Sequence, residues 1–155
     1  SSTGTMGIIN ATFYNNTCVG GSCKIYTGAN SSGNLSYNNL YWGAEIGYAA
    51  SVGWTHDYNY WDSTCTNPPT EDHGQTETIA KATLFPGNAT YNYALYGGAT
   101  NAKNNGTALG VPYNTDINGI SRPQGAAWDI GAYEYLGSTR TYGPIRIFMK
   151  GPMPP

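Results

Sequence analysis

Charge is scarce in this sequence. Asp, Glu, Lys and Arg together make up 10% of the 155 residues, against about 25% in an average globular domain. The formal net charge is −2, so no basic field exists to hold a phosphate backbone, and a nucleic-acid partner is not expected. Long apolar runs are missing as well. Nothing approaches the roughly 20 residues that a spanning helix requires, so membrane insertion is not expected. Helical periodicity is nearly absent; Thr76 to Phe85, TETIAKATLF, is the one window that could make helical turns. Cysteine is limited to Cys18, Cys23 and Cys65, which suits a secreted protein with one disulfide and one leftover thiol. Cys18 and Cys23 flank a flexible Val-Gly-Gly-Ser loop that could close on a bridge, while Cys65 is distant in sequence; which two pair is open. A zinc site lacks both a second Cys pair and a His-x3-His partner. The start at Ser1 is consistent with a processed mature protein.

What is plentiful is Gly (21) and Tyr (14), with Asn, Thr and Ser supplying the polarity. The length fits one domain. Short β-branched or aromatic runs, bounded by Gly, Asn and Pro, span Gly7 to Tyr14, Lys24 to Thr27, Asn34 to Trp42, Thr55 to Trp61, Thr90 to Tyr96, Trp128 to Tyr135 and Pro144 to Met149. The pattern predicts an all-β chain of short strands. A Tyr-Asn pair returns at Tyr14-Asn15, Tyr37-Asn38 and Tyr58-Asn59, with Tyr-to-Tyr steps of 23 and 21 residues. A sandwich has no reason to repeat a pair at that interval, whereas a short parallel β-helix, a solenoid, places one interval in each coil. Equivalent residues of successive coils would then lie about 4.8 Å apart, letting amides hydrogen-bond and rings pack along a ladder.

Downstream, Asp116-Ile117-Asn118-Gly119-Ile120-Ser121-Arg122-Pro123 is followed by Trp128-Asp129-Ile130-Gly131-Ala132-Tyr133-Glu134-Tyr135. This DINGISRP...WDIGAYEY pattern resembles the C-terminal signature of secreted and surface right-handed parallel β-helix proteins, including the choice-of-anchor group. The resemblance covers roughly Asn34 to Tyr135 and implies a right-handed coil stack with a C-terminal cap. Among few cations, Arg122 has Asp116, Asp129 and Glu134 close in sequence; a guanidinium holding carboxylates would pin a closing segment over the last coil. Residues 138–155 form an extended tail, in which Ile145, Ile147 and Met149 share one face of an extra strand able to pair within the fold or with a neighbouring subunit.

The densest charge lies at His56, Asp57 and Asp62, with Glu71, Asp72 and His73 in the next loop. Asp57, Asp62 and His73 are the candidate catalytic set for a polysaccharide lyase or hydrolase, which needs clustered carboxylates and a base. No resident metal or other cofactor is expected, Ca2+ being the ion such a cluster could hold. Trp42, Trp54 and Trp61 could stack on sugars or fill a core. Asn-x-Ser/Thr sequons at Asn10, Asn15, Asn30, Asn34, Asn88 and Asn105 are glycosylation candidates. A first coil exposes unpaired strand edges, so partners are expected: another copy stacked head to tail into a filament, or an upstream β-helix portion, with glycans as further ligands. The leading expectation is a secreted, extracellular or cell-surface structural protein without chemistry of its own; the alternative is a carbohydrate-binding or carbohydrate-cleaving module.

Overall fold

The computed structural model describes residues 7–23, 30–46, 53–90, 92–97 and 101–137. Within them the chain makes three successive passes of short strands. The first holds β1 (Thr12–Tyr14), β2 (Thr17–Val19) and β3 (Ser22–Cys23). The second holds β4 (Asn34–Tyr37), β5 (Leu40–Trp42) and β6 (Glu45–Ile46), and the third β7 (Trp54–Asp57) and β8 (Tyr60–Asp62). After these come β9 (Gln75–Glu77) and one short helix, α1 (Lys81–Leu84). The strands form parallel sheets in the orders β1-β4-β7, β2-β5-β8-β9 and β3-β6. Each pass therefore lays its strands beside the same strands of the pass before.

The register differs from the one that the Tyr-Asn pairs suggest. Thr12 lies beside Leu35 and Leu35 beside Thr55, giving steps of 23 and then 20 residues, as the asparagine bonds between passes also have it. Tyr14 pairs with Tyr37, but Tyr37 pairs with Asp57. Tyr58 thus stands one position beyond the expected rung. The cause is the corner between the first two sheets. Asn15, Asn38 and Tyr58 occupy it with φ of 53°, 55° and 55°. Asn adopts this left-handed conformation readily because its short polar side chain bonds locally; Tyr does not. At Tyr58 the corner is held by its N–H bond to Asp57 Oδ1 (2.9 Å) and by the His73 ring stacked at 4.3 Å.

Alternation along the strands builds two cores. On one face of the middle sheet, Tyr41 and Trp61 meet Ala44 and Cys65, with Phe13 and Cys18 beside them. On the other, Leu40 and Tyr60 meet Leu84, Phe85, Leu95, Ala102 and Ile130. A parallel sheet covered on both faces reads as a continuous apolar run, which explains the aromatic density of LYW and YWD. The runs 92–96 and 128–135 were expected as strands, yet they form none. They lie as irregular chain against the outer face, and their backbone groups bond to side chains and isolated bridges such as Gly106 with Trp128. Residues 24–27 and 138–155, with Ile145, Ile147 and Met149, lie outside the described residues.

Candidate functional site: a polar ladder and its closing segment

The column of amides that the repeat builds runs through the second asparagine of Tyr-Asn-Asn. Asn16 donates its backbone N–H and its Nδ2–H to Asn39 Oδ1, at 3.0 and 2.9 Å. Asn39 donates the same two groups to Asn59 Oδ1, at 2.8 and 3.0 Å. Asn59 in turn donates to Glu71, its N–H to Oε2 at 3.0 Å and its Nδ2–H to Oε1 at 2.7 Å. Asn39 and Asn59 are fully buried, so each of these bonds replaces one to water and cannot be dropped cheaply. The expected ladder of Tyr14-Asn15, Tyr37-Asn38 and Tyr58-Asn59 is therefore corrected by one residue at its first two asparagines, where Asn16 and Asn39 carry the column, while Asn59 stands in it as expected. Asn15 and Asn38 keep a weaker contact, Asn38 Nδ2 to Asn15 Oδ1 at 3.2 Å. Tyr14 and Tyr37 meet edge to face at 6.1 Å.

Glu71 terminates the column from the loop after β8. Its carboxylate is fully buried and also accepts from His56 Nδ1 at 3.0 Å. Beside it, Asp57 accepts the His73 N–H at 2.8 Å and His73 Nδ1 at 2.7 Å. Burial alone would raise the Asp57 carboxyl, but the bonds from His73 and the Tyr58 N–H hold it below its ordinary value. The third member of the candidate catalytic set is elsewhere. Asp62 is buried at the end of β8, where its Oδ1 accepts from Gly43 N–H and Thr64 Oγ1. Asp57 and Asp62 close different strands in different sheets, because the two lie on either side of the corner at Tyr58. No catalytic carboxylate pair results. Among the described residues no group of three or more His, Cys, Asp or Glu side chains is placed to hold a metal ion.

The cap residues do converge. Arg122 Nη1 lies 3.1 Å from Glu134 Oε2, both side chains fully buried. The same guanidinium donates to the carbonyls of Asp129 and Gly131, each at 2.7 Å. It therefore grips one carboxylate and two backbone oxygens rather than a carboxylate through two bonds. Asp116 accepts from Asn118, Ile120 and Glu134 N–H groups. Asp129 accepts from the N–H groups of Asn104, at 2.8 Å, and Tyr135, at 2.5 Å. Burial pushes the Asp129 and Glu134 carboxyls up, against the pull of backbone N–H groups and Arg122.

The closing segment does not lie over the last coil as expected. It runs along the side of the passes, toward the first. Thr107 N–H and carbonyl bond Asn38, Gly131 N–H bonds the Asn38 carbonyl, and Ala132 N–H bonds Thr17 Oγ1. Gly131, at φ 108°, permits this approach: a Cβ there would stand 2.7 Å from Thr17 Oγ1 and 3.1 Å from Leu40 Cβ. Where the segment reaches the first pass, it leaves a cleft of about 400 Å³ whose walls include Tyr14, Asn16, Tyr113, Asp116 and Arg122. Tyr113 packs edge to face on Tyr14 at 5.0 Å.

The remaining candidates divide. Asn34 is fully buried and its Nδ2 donates to the Ile8 carbonyl at 2.8 Å; a glycan has no route to that nitrogen, which corrects the sequon reading there. Asn105 is half-buried and its Nδ2 bonds the Asn101 and Lys103 carbonyls. Asn10 and Asn30 are exposed and Asn15 half-buried; the Asn88 side chain lies outside the described ones. Trp61 is a core residue, and Trp42 packs against the outer core with Lys81 Nζ 5.6 Å from its ring. Trp54 is half-buried on β7. The three therefore make no shared sugar platform. Cys18 is disulfide-bonded, whereas Cys65 is a buried free thiol that burial pushes above its ordinary pKa.

Sequence reasoning passed over Asn16 and Asn39, and it placed Glu71 in the charge cluster without seeing that it ends the column. The doubled Asn in passes one and two carried the signal, and Tyr58 masked it in the third. No protein-family model, curated protein or solved structure matches the chain. No helix among the described residues is long and apolar enough to cross a membrane.

Proposed function

We propose that the chain is a short right-handed parallel β-helix whose C-terminal segment closes along its side, and that it serves as a non-enzymatic structural unit of a secreted fibre or cell-surface assembly. The β-helix surface proteins with the choice-of-anchor signature, which DINGISRP...WDIGAYEY resembles, supply the analogy. One observation carries the reading: Asp57, Asp62, Glu71, Asp116, Asp129 and Glu134 each accept bonds from the protein's own backbone amides or side chains. Carboxylates held this way orient turns and close the ends of columns. They leave no free pair for acid and base roles, which need a group poised on a reacting proton. The extracellular setting accords with the disulfide at Cys18 and the Asn-rich, charge-poor composition.

The test combines a turnover screen on acidic and neutral polysaccharides with negative-stain imaging of the purified protein. No product and elongated particles are expected; product formation that Asp57→Ala abolishes would overturn the reading. Residues 138–155, with Ile145, Ile147 and Met149, are the proposed intersubunit strand, so their deletion should shorten or abolish assemblies. A second reading, glycan binding, draws on the cleft lined by Tyr14, Tyr113 and Asn16. Calorimetric titration with neutral oligosaccharides separates it from the first.

A further inference from the structure

The asparagine column has a direction. Each rung presents one oxygen that receives two donors from the rung before it, and the last oxygens are those of Glu71. Asn16 opens the column. It gives its N–H and Nδ2–H to Asn39, and Nδ2 also reaches the Tyr14 carbonyl at 3.0 Å. Among the described residues no donor reaches Asn16 Oδ1. The strands beside it are, among the described residues, edges: β1, β2 and β3 each pair on one side alone, so alternate backbone groups of all three point away from the second pass. Ile8 and Ile9 stand exposed at the same end, at 40% and 63%.

These features describe a partner. Resting on the structural reading above, we infer that this end docks a further coil whose strands run parallel to β1 and β2 and whose asparagine donates N–H and Nδ2–H to Asn16 Oδ1. A second copy stacked head to tail does not meet the requirement. Its opposite end closes the column with the two Glu71 oxygens, both already engaged by Asn59 and His56, and among the described residues presents no amide donor in that register. Two copies meeting head to head would face Asn16 with Asn16, whose N–H and Nδ2–H donors are already engaged within each copy. The occupant is therefore an asparagine-bearing coil joined on the N-terminal side, and the cleft between Tyr14 and Tyr113 receives its corner.

The chain itself contains such a coil. A copy of residues 30–46 fused directly before Ser1 places the duplicated Asn39 in the register of the rung above Asn16, at the same 23-residue separation as Asn16 and Asn39. Hydrogen exchange of the full-length fusion is then compared with that of the parent chain. The outward amides of β1 and β2 should gain about tenfold protection or more, as expected for groups moved from water into a ladder, and the urea midpoint should rise. The same fusion carrying Asn39→Ala in the added copy should lose most of that gain. A second fusion with a flexible Gly-Ser spacer before Ser1 guards against strain at the junction. Unchanged β1 and β2 protection in both fusions would overturn the inference, as would an equal gain with Asn39→Ala. Protection of the parent chain that rises with its own concentration would assign the surface to a second copy instead, also overturning it. Polysaccharide turnover by any of these proteins would sink the structural reading separately, leaving the exchange result to be judged alone.

Discussion

Replacing Asn39 with Ala tests the corrected ladder at its middle rung. The substitution removes the acceptor of two Asn16 donors and the Nδ2–H that reaches the Phe13 carbonyl at 2.8 Å. Asn59 Oδ1 loses one of its two donors but keeps the Asn39 backbone N–H. The Asn16 N–H is thus orphaned outright, while Asn16 Nδ2, which keeps the Tyr14 carbonyl, the Phe13 carbonyl and Ser36 Oγ each lose a partner, such losses being worth about 1–3 kcal/mol when buried. Asn16 is half-buried, so water partly satisfies two of them, and the loss should be about 3–5 kcal/mol. That is a large share of the roughly 5–15 kcal/mol available to a domain of this kind. With a urea slope of about 2 kcal/mol per molar, the midpoint should fall by about 2 M. Asn15→Gly provides the contrast. It removes a single 3.2 Å contact while relieving a residue at φ 53°, so its effect should stay within about 1 kcal/mol. A loss below about 1 kcal/mol for Asn39→Ala, or equal losses for the two variants, would refute the ladder as drawn.

Arg122→Met should cost about 3–5 kcal/mol, because it leaves Glu134 and two backbone carbonyls buried without their cation; limited proteolysis should then cut first within 101–137. Asp57, held below its ordinary pKa in the folded state, contributes stability that is complete above the unfolded value of 3.8 and is lost as pH falls through the lower folded value. The stability difference between the native chain and Asp57→Asn, followed by urea titration, should therefore be constant near neutrality and fade below pH 3.8; a difference that grows on acidification contradicts the assignment. Cys65, buried and raised in pKa, should resist thiol reagents in the native state and react only on unfolding, as peptide mapping would show.

Much of the fold was legible because it follows from local chemistry. Short β-branched and aromatic runs bounded by Gly and Asn became strands where a neighbouring pass could pair with them, as in the first three passes, and not at 92–96 or 128–135; the 23-residue return places β1 and β2 beside their equivalents β4 and β5. Arg122, Asp116, Asp129 and Glu134 were readable as a cluster because a charge-poor chain that buries a cation must bring anions or carbonyls to it. The third rung was not legible: aligning passes by Tyr placed Tyr58 beneath Tyr37, whereas the backbone places Asp57 there. Corner geometry, not side-chain identity, sets that equivalence.

What the sequence determined by itself is the periodic part: strand type, a parallel return, and an asparagine at the first two corners, Asn15 and Asn38, all consequences of residue preferences over a few positions. Only the tertiary structure decided which asparagine carries the column, that Glu71 ends it from a loop 12 residues beyond Asn59, and that the closing segment lies along the outer face of the middle sheet. Those choices depend on which buried amide finds an acceptor and which apolar face remains uncovered, and both are settled between residues far apart in the chain.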